Sequence, residues 1–188
     1  SCFKKDILNL IYLCNFFLLN QVAKYWKGVL EINEWQQNRI SNLIIEKLFN
    51  TVANKKITLL GFAFKANTND TRESPSITIA KNLLEEGAYL AIHDPRVTKQ
   101  QINSDLNLES TVFDNKNLSG WGFYENIIEA ANNSDALIIL TEWDIYKKIN
   151  WHEISKVMRK PAWVFDTRCL INPDLIEENG LNYWVVGG

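Results

Sequence analysis

No stretch of the sequence carries the G-x-G-x-x-G spacing that lets a backbone wrap a pyrophosphate. After the first strand-like run, Gly61 is the only glycine before Gly87. The chain by itself is therefore not expected to form a dinucleotide-binding turn. Cysteine is scarce: Cys2, Cys14 and Cys169 are odd in number and show no CxxC spacing. That argues against a disulfide framework and a zinc site, and fits a reducing cytoplasm. The two histidines, His93 and His152, are too few for a metal cluster or a Ser/His/Asp arrangement, and both read as structural. Charge is nearly balanced at -2 with no basic run, so neither nucleic acid nor an anionic membrane surface is an expected partner. The most apolar stretch, Ile7 to Leu19, is 13 residues long and holds Asn9 and Asn15. A membrane span needs about 20, so it reads as a buried helix. There is no initiator Met and no basic segment leading into an apolar one, so no signal peptide is expected; the opening Ser-Cys-Phe reads as a cut within a longer protein.

What is present is enough apolar residue, 46% of 188, to bury a core. Residues 3–50 show helical spacing: Ile7, Leu10, Ile11, Cys14, Phe17 and Leu18, then Val29, Ile32, Ile40, Leu43, Ile44 and Leu48. The second run is the longer, carries Gln36, Gln37 and Arg39 between its apolar positions, and suits a spine or a subunit interface; at least a dimer is expected. After Ala53-Asn54, short β-rich runs at 57–60, 89–92, 136–140 and 163–165 alternate with helical spacing at 76–86, 124–131 and 151–158. This alternation predicts an α/β fold with a parallel sheet covered by helices, and residues 183–186 add an edge strand. The polar stretch 97–120 reads as loop with one helical turn.

Ligands of open α/β sheets bind beyond the carboxyl ends of the strands. The residues there are Gly61 to Lys65, His93-Asp94-Pro95, Thr141 to Asp144 and Asp166 to Arg168. Asp94 stands before Pro95 and reads as a turn residue rather than a ribose-binding acid. In residues 61–76, Ser74-Pro75 marks a helix start, with Ser74 as N-cap. Lys65 and Arg72 precede that helix, a recipe for holding phosphate; the alternative pairs Arg72 with Asp70 or Glu73 on the surface. Cys2 opens the first helix, where free N–H groups and Lys4 and Lys5 favour a thiolate. Asp6, four residues on, shares its face and is placed to hold a water or proton beside the sulfur. A cysteine at a helix start is also a common structural feature. Cys14 and Cys169 read as core.

SCFKKDILNL, GFAFKANTNDTRES, IHDP, TEWD and FDTR stand in the order and spacing of UDP-glucose 6-dehydrogenases, and the resemblance covers essentially the whole chain. It implies oxidation of the UDP-glucose C6 alcohol to a carboxylate with two NAD, through a thioester on a cysteine. On matched motifs, Cys2 resembles the nucleophile, Asp6 the aspartate assisting the hydrolytic water, and Lys5 a lysine beside cysteine and cofactor. Phe64, Lys65 and Arg168 resemble substrate contacts. Cys2, Phe3, Lys4, Lys5 and Arg72 resemble cofactor contacts. The resemblance further implies that residues 1–54 are most of a helical dimerisation region and residues 55–188 a Rossmann-like UDP-binding domain. The NAD-binding half of such enzymes is missing, so this chain alone is expected to be inactive. Ala66 and Cys169 stand where some relatives have a basic residue, and Lys4 where some have Gln. A UDP-N-acetylmannosamine or GDP-mannose dehydrogenase, or a non-catalytic nucleotide-sugar-binding or dimerising module, are the competing readings.

Overall fold

A computed structural model describes residues 2–114 and 119–188; of Cys2 only the backbone is described. Residues 115–118, within the stretch expected to be loop, lie outside the described residues. Two helices, α1 (Cys2–Phe16) and α2 (Asn20–Lys47), form a hairpin. The turn between them places Leu18 at φ 61, a left-handed conformation that ends α1 before Asn20 starts α2. Then follow β1 (Lys56–Leu60), α3 (Pro75–Glu85), β2 (Tyr89–His93), α4 (Lys99–Leu106), β3 (Gly120–Phe123), α5 (Ile127–Ala131), β4 (Ala136–Ile139), α6 (Trp151–Val157), β5 (Trp163–Asp166), α7 (Pro173–Glu177) and β6 (Asn182–Val185).

The six strands form one sheet in the order β3-β2-β1-β4-β5-β6, and every neighbouring pair is parallel. The chain winds outward from β1 to β3, then returns to place β4 on the other side of β1. The switch point is thus the crevice between the carboxyl ends of β1 and β4. All residues of β1, β2 and β4 are buried, as parallel strands covered on both faces must be. Leu59, Leu60, Leu90, Ile92, Ile138 and Phe165 anchor this core, each contributing about 1.5–3 kcal/mol by burial. The last turns of α2 join it through Ile40, Ile44 and Leu48.

Three expectations need correction. The stretch Ile7 to Leu19 is not a buried helix: Ile7 and Cys14 are buried, but Phe16, Phe17 and Leu18 are 68%, 65% and 82% exposed. Its apolar spacing is wider than the face this chain covers. Residues 97–120 hold more than loop with one helical turn: α4 takes eight of them, and β3 begins at the last, Gly120. In α4, Thr98 and Gln101 close a capping box, which starts a helix whose only buried residues are Ile102 and Leu106. β3 reads poorly as a strand because it contains Gly120 and Gly122. A Cβ at Gly122 would lie 2.3 Å from the Tyr89 hydroxyl, so tertiary contact selects glycine against local propensity. Cys169 is exposed, not core: it sits at φ 52 in the turn after β5, with Sγ 3.4 Å from the Val186 carbonyl. Among the described residues, no helix is long and apolar enough to cross a membrane.

At the amino end of β1, Lys56 is buried. Its ammonium donates to the carbonyls of Asn132 (2.8 Å) and Glu129 (3.4 Å) and lies 4.9 Å from the ring centre of Tyr124. Burial, helped by the Arg159 charge, lowers its pKa from 10.5 to about 8. Above pH 8 the folded chain holds fewer protons at this site than the unfolded chain, so folding stability rises with pH until the unfolded lysine also titrates. Urea unfolding from pH 8 to about 9.5 is expected to show such a rise, at most ~1.4 kcal/mol per pH unit, and Lys56→Met is expected to abolish it.

Candidate functional site

The loops after β1, β2 and β4 converge on one buried carboxylate. Asp94 Oδ2 accepts from the backbone N–H groups of Phe62 (2.7 Å) and Ala63 (3.0 Å) and from Trp143 Nε1 (3.2 Å). Its Oδ1 accepts from Arg96 N (2.8 Å) and Val97 N (2.9 Å). The turn reading of Asp94 therefore holds, and the residue does more than form a turn. It stands where a dinucleotide fold keeps its ribose-binding acid, yet its oxygens are already taken by protein donors. Together with the missing glycine-rich turn, this leaves no dinucleotide cradle on the described sheet edge.

Next to it, Gly61 lies at φ 95, and a Cβ there would sit 2.4 Å from Thr141 Cβ, so only glycine lets β1 and β4 approach this closely. Thr141 Oγ1 donates to the Ala63 carbonyl (2.7 Å). Ser74 caps α3 as its sequence predicts, accepting from Ser76 N, while its hydroxyl donates to the Phe62 carbonyl (2.9 Å). The loop after β5 is built the same way. Buried Asp166 accepts from Arg168 N (2.8 Å) through Oδ1, and from Leu170 N (2.7 Å), Ile171 N (2.9 Å) and the Tyr183 hydroxyl (3.1 Å) through Oδ2. Burial, with the Asp166 charge beside it, pushes the Tyr183 phenol above its ordinary range. Behind the edge, burial lowers the pKa of His93, whose Nδ1 lies 3.0 Å from the Tyr146 hydroxyl.

Two cations stand on the loops of this edge. Arg168 Nε donates to the Leu140 carbonyl (2.7 Å) and lies 3.5 Å from Glu142 Oε2. Glu142 Oε1 in turn accepts from Ala66 N (3.3 Å), next to exposed Lys65, which has no ion-pair partner among the described residues. Arg168 also borders a cavity of about 190 Å³. Gln36 and Gln37 of α2, Pro75 and Ile79 of α3, and Thr167 line the same space. That volume is below the range of pockets that enclose a whole drug-sized ligand.

The other sequence-identified residues gather at the far side of the same loop. Phe64 is half-buried, its N–H donating to the Asp70 carbonyl (2.8 Å). Lys4 pairs with Glu73 at 2.9 Å, and the charge of Lys5 acts on Asp70, so the start of α1 lies against residues 70–73. Arg72 takes the surface alternative, gripping Asp70 through Nε (2.9 Å) and Nη2 (2.8 Å), which holds that carboxyl well below its usual range. Phe3 and Asp6 are exposed on α1. The side chain of Cys2 lies outside the described residues. Sequence reasoning put Asp94 and Glu142 at strand ends, Asp94 as a turn residue, but foresaw neither the Asp94 clamp nor the reach of Glu142 to Ala66 and Arg168. Their only signal is position directly after a strand, which does not reveal which backbone groups a carboxylate reaches.

Residues 58–173 match the family described as UDP-glucose/GDP-mannose dehydrogenase family, UDP binding domain. The chain is 47% identical to the UDP-glucose 6-dehydrogenase of Gallus gallus, over 92% of this chain and 35% of that protein. It is 42% identical to UDP-glucose 6-dehydrogenase 4 of Arabidopsis thaliana, over 100% of this chain and 41% of that protein. The structure of a UDP-glucose dehydrogenase from the archaeon Pyrobaculum islandicum superimposes with a TM-score of 0.71 at 26% identity, covering 97% of this chain and 36% of that one. The chain thus spans about two-fifths or less of the length of these relatives.

Asp94→Asn replaces a charged acceptor by an amide whose NH₂ faces backbone donors. Urea denaturation is expected to show a loss of about 3 kcal/mol or more. Arg168→Ala, on the partly exposed edge, is expected to cost about 1 kcal/mol or less.

Proposed function

The chain belongs to the UDP-glucose/GDP-mannose dehydrogenase family, and from that premise we propose that it is the substrate-holding portion of a UDP-glucose 6-dehydrogenase. The observation that carries this reading is the placing of Arg168 and the Lys65 loop on the two sides of the β4 end, bridged by Glu142. Two cations on the loops that flank the β4 end suit a diphosphate, and the aromatic ring of Phe64 beside Lys65 offers an apolar surface to the ribose or base.

In the chemistry we propose, Cys2 at the α1 terminus attacks the C6 aldehyde formed by the first oxidation. The resulting hemithioacetal is oxidised to a thioester, and water then releases the carboxylate. Asp6, one helical turn from Cys2, orients that water. Lys5, in the same first turn of α1, adds positive charge that favours a thiolate. NAD, when bound, accepts one hydride in each oxidation. The groups this chain offers it are the start of α1, with Phe3, Lys4 and Lys5, and the exposed Arg72 on the adjoining loop. They fit one edge of the cofactor, and the rest of its site is assigned to the part of the relatives that this chain does not span.

The hairpin supports a second element of the proposal. Along α1 and α2, Tyr12, Phe16, Phe17, Tyr25, Ile32 and Trp35 are all more than half exposed. Such a surface calls for a cover, and we assign residues 1–54 to a homodimer interface and 55–188 to UDP binding. The thiol of Cys169 and the absence of any cysteine spacing suited to a disulfide favour a cytoplasmic setting.

Calorimetric titration of the chain with UDP-glucose, UDP-N-acetylmannosamine, GDP-mannose and NAD tests the site. Selective UDP-glucose binding, weakened about tenfold or more by Lys65→Ala and by Arg168→Ala, is the expected result. Equal binding of GDP-mannose, or indifference to both substitutions in a folded chain, contradicts it. Sedimentation at micromolar concentration is expected to give at least twice the chain mass of 21.8 kDa, and a monomer would refute the interface.

A further inference from the structure

β4 is the strand that separates the two cations, and the three residues directly after it touch both of their loops. Leu140 receives the Arg168 Nε–H at 2.7 Å, Thr141 donates to Ala63 at 2.7 Å, and Glu142 spans the remaining gap. One Glu142 oxygen accepts from Ala66 N at 3.3 Å, and the other faces Arg168 Nε at 3.5 Å. Arg168 Nε is thereby held between a carbonyl and a carboxylate, which fixes the direction of a side chain that would otherwise sample many rotamers. The same carboxylate pins the backbone directly after Lys65.

We infer that Glu142 is a positioning residue for the phosphate-binding pair, setting the separation of Lys65 from Arg168 while its own carboxylate stays clear of the ligand. This rests on the assignment of Lys65 and Arg168 to a diphosphate. A carboxylate beside a phosphate site ordinarily weakens anion binding by repulsion, so the sign of its effect separates the two roles. If Glu142 were only a counter-charge to Arg168, removing it would tighten binding. A positioning role predicts the reverse, because the order lost in the empty site must be regained on binding.

The test is calorimetric titration of the whole chain with UDP, using Glu142→Ala, Glu142→Gln, Arg168→Lys and the Glu142→Ala/Arg168→Lys pair, each checked for folding by thermal melting. Glu142→Ala is expected to weaken UDP binding about five- to tenfold. Glu142→Gln, which keeps an oxygen for Ala66 N–H, is expected to lose less. In the Arg168→Lys background, where the oriented guanidinium is already gone, the loss from Glu142→Ala is expected to shrink. Unchanged or tighter binding by Glu142→Ala, equal losses for Ala and Gln, or full additivity in the pair would overturn the inference. Should Arg168→Lys leave UDP affinity unchanged, the phosphate assignment itself fails, and the positioning role fails with it.

Discussion

The Asp94 carboxylate is the constraint on which the rest of the sheet's carboxyl-end edge depends. It is buried, and its five donors come from the loops after β1, β2 and β4. Backbone amides that would otherwise lack partners at a crowded strand edge are satisfied there, and hydrogen bonds to a charged acceptor are worth about 1.5–3 kcal/mol each. The cost of desolvating the carboxylate is offset only because all of these donors arrive together. The result is an edge whose loop framework is set before any ligand binds. Asp166 repeats the device three strands away at the end of β5, where it seats the backbone of Arg168. The acids at these strand ends thus serve as frame, while Lys65 stands exposed on the loop after β1 and Arg168 half-buried on the loop after β5.

This division explains which parts of the structure were legible in the sequence. The sheet was visible because its strands are buried on both faces and so are apolar runs of a length that only strands take. Residues 57–60, 89–92, 136–140 and 163–165 each fall within a residue of the observed strands. β3 was illegible because Gly122 answers to the Tyr89 hydroxyl, a contact 33 positions away in sequence. α4 was legible only as one helical turn because just Ile102 and Leu106 face the core, and its start is signalled by the capping box alone. The exposure of α1 was missed for the opposite reason: helical spacing of apolar residues shows that a face exists but not what covers it.

At the site, the rule that ligands lie beyond strand ends picked out the loops that Asp94 and Asp166 organise, and the Ser74-Pro75 cap was readable from local chemistry. What sequence left open was pairing. Whether Arg72 takes Asp70, whether Asp94 faces ligand or backbone, and whether Glu142 reaches Arg168 are all decided by approaches of a few ångströms between segments far apart in the chain. Cys169 shows the same limit, since a cysteine following an apolar strand reads as core until the turn after β5 carries it outward.

The central claim is that the crevice between β1, β4 and β5 receives a uridine diphosphate on Lys65 and Arg168. Amide chemical shifts of the isotopically labelled chain, followed during titration with UDP, test it most directly because they report which backbone segments sense the ligand. The account predicts saturable shifts concentrated in residues 62–66, 140–143 and 167–169, with α4 and α6 unmoved. Saturable shifts centred on α5 and α6, or on the loop before α4, with the β1, β4 and β5 ends silent, would contradict it.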